Sequence, residues 1–213
     1  MRRRFVPIFF TVDECYIPYL SVCIASLIDH VNPKNNYRIH VLYTDIKKDE
    51  LINIKTLETK NVEIDLFNMK EKIDPYRKKF ANKVKLTHFP ITIYLRMFIP
   101  SLFPEYDKAI YLDSDIVLND DIAKMYKVNL KDNLLGGCVD TSVIDTPFAD
   151  YYEKYVGVSR YNYINSGVLL LNMKKLRENK FDHRFINALL KYDFEAVEPD
   201  QAYINALCKD KIH

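Results

Sequence analysis

Lys108-Ala109-Ile110-Tyr111-Leu112-Asp113-Ser114-Asp115 runs from an apolar segment straight into two carboxylates. Residues 108–112 predict a buried strand. In open α/β sheets, ligands bind beyond the carboxyl ends of the strands, so Asp113 and Asp115 stand where a ligand is expected. Two aspartates separated by one residue can both reach one oxygen-ligated divalent cation, Mg²⁺ or Mn²⁺, shared with a diphosphate. The competing reading makes them turn residues that cap a helix starting near Asp120. A calcium loop of the helix–loop–helix type is excluded, because Val117 occupies a ligand position and the required glycine is missing.

Outward from this stretch, strand and helix signals alternate. Arg4 to Val12 is a continuous apolar run, and Pro18 suits the first turn of a helix carrying Leu20, Ile24, Leu27, Ile28 and Val31. Asn32 to Asn36 reads as a turn and Tyr37 to Thr44 as a second strand. Lys48 to Lys60 predicts a surface helix with Leu51, Ile54 and Leu57 inward, and Val62 to Phe67 a half-buried strand. Lys70 to Lys85 is basic, a loop or exposed helix whose bland reading is a solvated face. Pro90 to Phe98 predicts a helix closed by Pro100 and Pro104. Leu134 to Asp140 and Tyr163 to Asn172 predict strands, and Phe181 to Tyr192 and Asp200 to Leu207 predict helices. This alternation implies an α/β fold with a mostly parallel central sheet flanked by helices.

Composition narrows the function. The 213 residues are 48% hydrophobic and 28% charged, with a net charge of +2, so the global charge points away from nucleic acid. No apolar run is long enough to span a bilayer, and Phe5 to Val12 makes a poor signal-peptide core. Four cysteines (Cys15, Cys23, Cys138, Cys208) without a CxxC pair favour reduced, cytoplasmic thiols over a disulfide framework or a zinc site. With only four glycines, a Gly-rich phosphate loop is not expected.

Two enzyme classes fit a strand followed by Asp-Ser-Asp. In haloacid-dehalogenase-type phosphatases the first Asp is a nucleophile and the second an acid/base. In nucleotide-sugar-dependent glycosyltransferases both hold a metal. The phosphatase reading lacks its late glycine-led acidic motif. Further segments, in order, resemble family 8 glycosyltransferases, the group of glycogenin and the bacterial lipopolysaccharide galactosyltransferases. They are Phe10-Thr11-Val12-Asp13-Glu14-Cys15-Tyr16, His88-Phe89-Pro90-Ile91-Thr92-Ile93-Tyr94-Leu95-Arg96, Ile110 to Asp115, Tyr163-Ile164-Asn165-Ser166-Gly167 with the apolar run to Asn172, and Asp200-Gln201.

The resemblance implies a glycosyltransferase A-type, Rossmann-like fold and retaining transfer of glucose or galactose from UDP-glucose or UDP-galactose. The acceptor would be a hydroxyl of a cell-envelope glycan or a glycoprotein. It implies that Asp13 binds the uracil and Tyr16 stacks on it, that Arg96 lies near the sugar and diphosphate, and that Asp113 and Asp115, with Ser114 between them, hold Mn²⁺ or Mg²⁺ with the donor. It also implies that Asp140 binds sugar hydroxyls, that Asn165, Ser166 and Gly167 line the donor or acceptor pocket, and that Asp200 and Gln201 lie next to the reacting anomeric carbon. Each residue has a plainer reading. Tyr16 could be one more aromatic among sixteen tyrosines, Arg96 an ion-pair partner, Gly167 a packing glycine, Asp200 a helix cap and His88 a structural histidine.

Three departures from the family pattern stand out. Cys15 replaces a usual polar residue, Ala202 replaces an acidic one after Asp-Gln, and no late H-x-x-G-x-x-K-P-W segment is present. The expectation is one transferase domain over 1–213, with a nucleotide-binding half at about 1–115, an acceptor-side half at about 116–213 and a C-terminus that is incomplete. The alternative is a degenerate, non-catalytic domain that binds a nucleotide sugar or a partner protein. Arg2, Arg3 and Arg4 permit peripheral contact with an anionic membrane surface.

Overall fold

The computed structural model describes residues 4–76, 91–147, 149–191 and 199–213. In chain order its elements are β1 (Phe5–Thr11), α1 (Ile17–Asp29), β2 (Asn36–Tyr43), α2 (Ile52–Lys55), β3 (Val62–Asn68), α3 (residues 70–76), α4 (Ile99–Leu102), β4 (Ala109–Leu112), α5 (Ala123–Tyr126), β5 (Leu135–Val139), α6 (Ala149–Tyr151), β6 (Ile164–Leu171), α7 (Met173–Glu178), α8 (Phe181–Lys191) and α9 (Pro199–Cys208). The fold is mixed α/β with mostly parallel strand pairing, as the alternation of signals predicts. The chain divides into two compact units: Met1–Arg96 with Lys108–Asn129, and Met97–Asp107 with Leu130–His213. Among the described residues, no helix is long and apolar enough to cross a membrane.

In the first unit the strand order is β3-β2-β1-β4, all parallel. Val6 to Phe10 are all buried, which suits a central parallel strand covered on both faces. Ile8 lies opposite Ile39 on one side and Ile110 on the other, and Phe9 lies opposite Tyr111. Sequence order moves from β1 to β2 on one side, while β4 takes the other side. The strand order therefore reverses between β1 and β4, and the crevice beyond their carboxyl ends is where this class of sheet binds ligands. Pro18 sits in the first turn of α1, which buries Leu20, Cys23, Ile24 and Leu27 and exposes Tyr19 and Val22.

The helix expected over Lys48 to Lys60 is shorter than its apolar spacing suggests. A 3₁₀ turn (Lys48–Leu51) leads into α2, which stops at Lys55. Leu51 and Ile54 are buried as expected, but Thr56 returns its hydroxyl to Asn53 O and Thr59 already pairs with Val62. Local side-chain bonding of this kind competes with helix continuation. The proline reading also needs correction. Ile91–Phe98 forms 3₁₀ turns, and Pro100 opens α4 rather than closing a helix, since the first helical turn does not need its missing N–H. Residues 77–90, including His88, lie outside the described set.

In the second unit β5 and β6 pair antiparallel, with a bulge between Gly137 and Val139. A Cβ on Gly137 would approach Ile164 Cδ1 to 2.8 Å, so a larger residue there would displace the end of that side chain. Phe98, Phe185 and Tyr203 meet edge to face, and Val143, Tyr152, Val156, Val158, Tyr163 and Ala202 form a second apolar cluster. Residues 211–213 run beside β5, where His213 N–H donates to Leu135 O and Gly137 N–H to His213 O.

Candidate functional site

The predicted site residues fall into two constellations, one in each unit. In the first, β4 delivers Asp113 immediately beyond its last residue. Asp113 Oδ1 accepts hydrogen bonds from Arg96 Nη2 at 2.9 Å and from the Tyr111 hydroxyl at 2.8 Å. Tyr111 is fully buried, and its hydroxyl also meets Thr11 Oγ1 at 2.9 Å across the β1–β4 register. A phenol carries one proton. Because Tyr111 donates it to Asp113, Thr11 must donate to Tyr111. The Arg96 guanidinium lies 4.3 Å above the Tyr111 ring and donates Nε to Ile93 O, so charge, stacking and backbone together fix it. Burial pushes the Tyr111 phenol well above its usual range, Arg96 opposing and Asp113 adding, so it stays a donor.

Asp115 is exposed two residues further on, and Ser114 between them is buried. Their negative field reaches α1. Burial pushes the Cys23 thiol up to about 12, the Asp115 charge adding, a backbone hydrogen bond from Ile116 opposing and Asp113 contributing again. Cys23 is therefore an inert core thiol. Ser114 and Asp115 form a turn; at the start of α5 it is Asp121 that accepts from Ala123 N–H, while Asp113 holds Arg96. At the end of β1, Asp13 caps the short turn Glu14–Tyr16 by accepting from Tyr16 N–H. That turn presents the Tyr16 ring at 43% exposure beside Tyr19, with ring centroids 5.6 Å apart. Asp13, Tyr16, Arg96 and Asp113 thus all sit on segments that leave or approach the carboxyl ends of β1 and β4.

The second constellation is a buried polar network centred on Gln201 in α9. Its Oε1 accepts from Ser166 N–H at 2.8 Å, and its Nε2 donates to Asp140 Oδ2 at 2.9 Å. Ser166 Oγ donates to Asp200 Oδ2 at 2.9 Å, so Asp200 holds a strand residue. Asp140 also accepts from the Ser142 hydroxyl and N–H through Oδ1. Burial pushes the Asp140 carboxyl up, but the donors Ser142, Gln201 and Asn165 outweigh it and hold it below the usual carboxylate range. Asn165 is exposed, and its Oδ1 accepts from Gly167 N–H. Buried polar groups are tolerable only when satisfied, and here the satisfied amide and carboxylates are locked in orientation.

Sequence reasoning missed Thr11, Tyr111, Ser142 and Asn205. Asn205 is fully buried: Nδ2 donates to Ile164 O and Gln201 O, and Oδ1 accepts from Ile164 N–H. Its spacing of four from Gln201, which puts both amides on one helix face, was the available signal. The arrangement supplies two carboxylates with hard oxygen donors at a sheet switch point, a fixed guanidinium, an exposed aromatic face and, in the other unit, a rigid amide–carboxylate network.

The sequence profile of "Glycosyl transferase family 8" matches residues 7–213. A putative glycosyltransferase of Haemophilus influenzae is 28% identical over 212 residues, covering 96% of this chain and 60% of that protein. Glycosyltransferase GlyE of Streptococcus pneumoniae is 26% identical, covering 99% of this chain and 46% of its own length. The chain thus spans about half the length of these relatives. The solved structure of the galactosyltransferase LgtC, in complex with donor and acceptor sugar analogs, superposes with a TM-score of 0.78 at 26% identity, covering 97% of this chain and 72% of that one. The shared fold is of the glycosyltransferase A type.

Proposed function

The chain belongs to glycosyl transferase family 8, and from that membership we propose that it moves a hexose, glucose or galactose, from a UDP-sugar to a hydroxyl acceptor with retention of anomeric configuration. The observation that carries the proposal is Asp113, held by Arg96 and Tyr111 at the end of β4, where the strand order reverses. Family membership favours this reading over the phosphatase one, and the name of LgtC, a galactosyltransferase solved with sugar analogs, supports a sugar donor.

A divalent ion fits the residues present. Asp113 has Oδ1 committed to two donors, and Asp115 adds an exposed carboxylate two residues away. Both are hard oxygen donors suited to Mn²⁺ or Mg²⁺. Among the described residues no group of three or more His, Cys, Asp or Glu side chains is placed to hold a metal ion, so this reading rests on the two carboxylates together with the donor. Such an ion, when bound, offsets the negative charge that builds on the departing diphosphate.

The chain's own residues take the remaining roles. Tyr16 offers its exposed face to the uracil, and Asp13, at the same turn, accepts from the base. Arg96 directs a fixed positive fork toward anionic oxygens. Asp140, Asn165, Ser166 and Gly167 bind sugar hydroxyls. Gln201 is too weak a nucleophile for a covalent intermediate. Its carbonyl, already polarised by Ser166 N–H, stabilises positive charge at the anomeric carbon beside Asp200, while the acceptor attacks from the face the diphosphate leaves. The leaving phosphate oxygen takes the acceptor's proton. A cell-envelope glycan or a glycoprotein is the proposed acceptor, reached from the cytoplasmic side with peripheral membrane contact.

The test is UDP release from UDP-glucose and UDP-galactose with Mn²⁺, in wild type and Gln201→Ala. Release by the wild type, with turnover reduced at least a hundredfold and donor affinity kept in the variant, is expected from loss of a group aimed at developing charge. Near-full turnover in the variant would remove Gln201 from that role.

A further inference from the structure

We propose that Tyr111, backed by Thr11, is a positioning residue that decides which oxygen of Asp113 meets the cation. The inference rests on the metal reading above and adds to it a buried relay from Thr11 through Tyr111 to Asp113. Asp113 lies just past the end of β4, with 34% of its side chain exposed, so packing alone leaves its carboxylate free to rotate. Two donors converge on the same oxygen. Tyr111 O–H and Arg96 Nη2 both reach Oδ1, at 2.8 and 2.9 Å. Both acceptor sites of that oxygen are then engaged, which would leave Oδ2 for a cation.

The relay has a fixed direction. Thr11 donates to Tyr111, and Tyr111 donates to Asp113, because a carboxylate only accepts. Thr11 is the last residue of β1 and Tyr111 lies in β4, so the register of the two strands aims the phenol. Arg96 does not need the hydroxyl to stay in place. It stacks on the Tyr111 ring and bonds to Ile93 O. Phenylalanine at position 111 keeps the ring and the stacked guanidinium and removes only the donor to Asp113. A partner that orients a metal-binding carboxylate affects affinity for the ion, whereas a phenol that merely satisfies a buried polar group affects stability alone.

Mn²⁺ binding is followed by the electron paramagnetic resonance signal of the free ion, with UDP at saturation, in wild type, Tyr111→Phe and Thr11→Val. Thermal unfolding without metal is recorded in parallel. Tyr111→Phe is expected to weaken Mn²⁺ binding by about tenfold or more. Thr11→Val, which leaves the phenol in place, should give a smaller loss in the same direction. Wild-type Mn²⁺ affinity in Tyr111→Phe, with only the unfolding temperature lowered, would overturn the inference and leave the metal reading standing. If Tyr111→Phe does not fold, Thr11→Val decides, and unchanged affinity there overturns the inference. A wild type that takes up no Mn²⁺ with UDP would overturn the metal reading itself, and this inference with it.

Discussion

Asp140 shows how single donors set the behaviour of a buried carboxylate. Burial disfavours its charge, yet Ser142, Gln201 and Asn165 hold its pKa below the usual range. A depressed carboxylate contributes stability that is present above its unfolded-state pKa and lost as pH falls through the folded one. Asparagine at this position keeps an acceptor, but its amide nitrogen confronts the donor Gln201 Nε2 or Ser142. Asp140→Asn is therefore expected to be less stable than wild type at neutral pH, with the gap closing in acid below the usual carboxylate range. Urea midpoints measured across the acid range check this; a gap that stays constant with pH would contradict it. The partners of Asp113 could not be read at this scale from sequence. Thr11 and Tyr111 stand 100 residues apart, and only the pairing of Phe9 with Tyr111 brings their hydroxyls together.

At the scale of elements, α9 acts as a clamp on β6. Asn205 holds both backbone groups of Ile164, and Gln201, one turn earlier on the same face, holds Ser166 N–H. The helix thereby holds the start of β6 and fixes the Asn165-Ser166-Gly167 segment. Asn205→Ala leaves Ile164 N–H and C=O buried without these partners and should cost about 2–4 kcal/mol of unfolding free energy. Chemical denaturation measures it, and a loss under about 0.5 kcal/mol, the size of an ordinary surface change, would contradict the clamp. The central strand was legible because a parallel strand buried on both faces reads as a continuous apolar run, as in β1. α2 was overread because spacing alone predicted a helix through Leu57, while Thr56 and the Thr59–Val62 bridge turn the chain earlier. Pro100 was misread because proline closes a helix or opens one depending on its position in the turn.

At the scale of the whole molecule, the cysteines give a simple check on the described packing. All four thiols are free; Cys15 and Cys138 are exposed, while Cys23 and Cys208 are buried, with burial pushing each up to about 12. Two of the four should react with a disulfide reagent in the native protein and all four in denaturant. Four fast native thiols would mean that the cores around α1 and α9 are open. The placement of the carboxylates just beyond β4 was legible in Asp113-Ser114-Asp115, whereas the residues that hold Asp113 and Gln201 emerged only from the folded chain. The most direct measurement is calorimetric titration of UDP, with and without Mn²⁺, into wild type and Asp113→Ala/Asp115→Ala. The account predicts binding that depends on Mn²⁺ in the wild type and disappears in the double variant. UDP binding indifferent to both the ion and the two carboxylates, or no UDP binding at all, would contradict it.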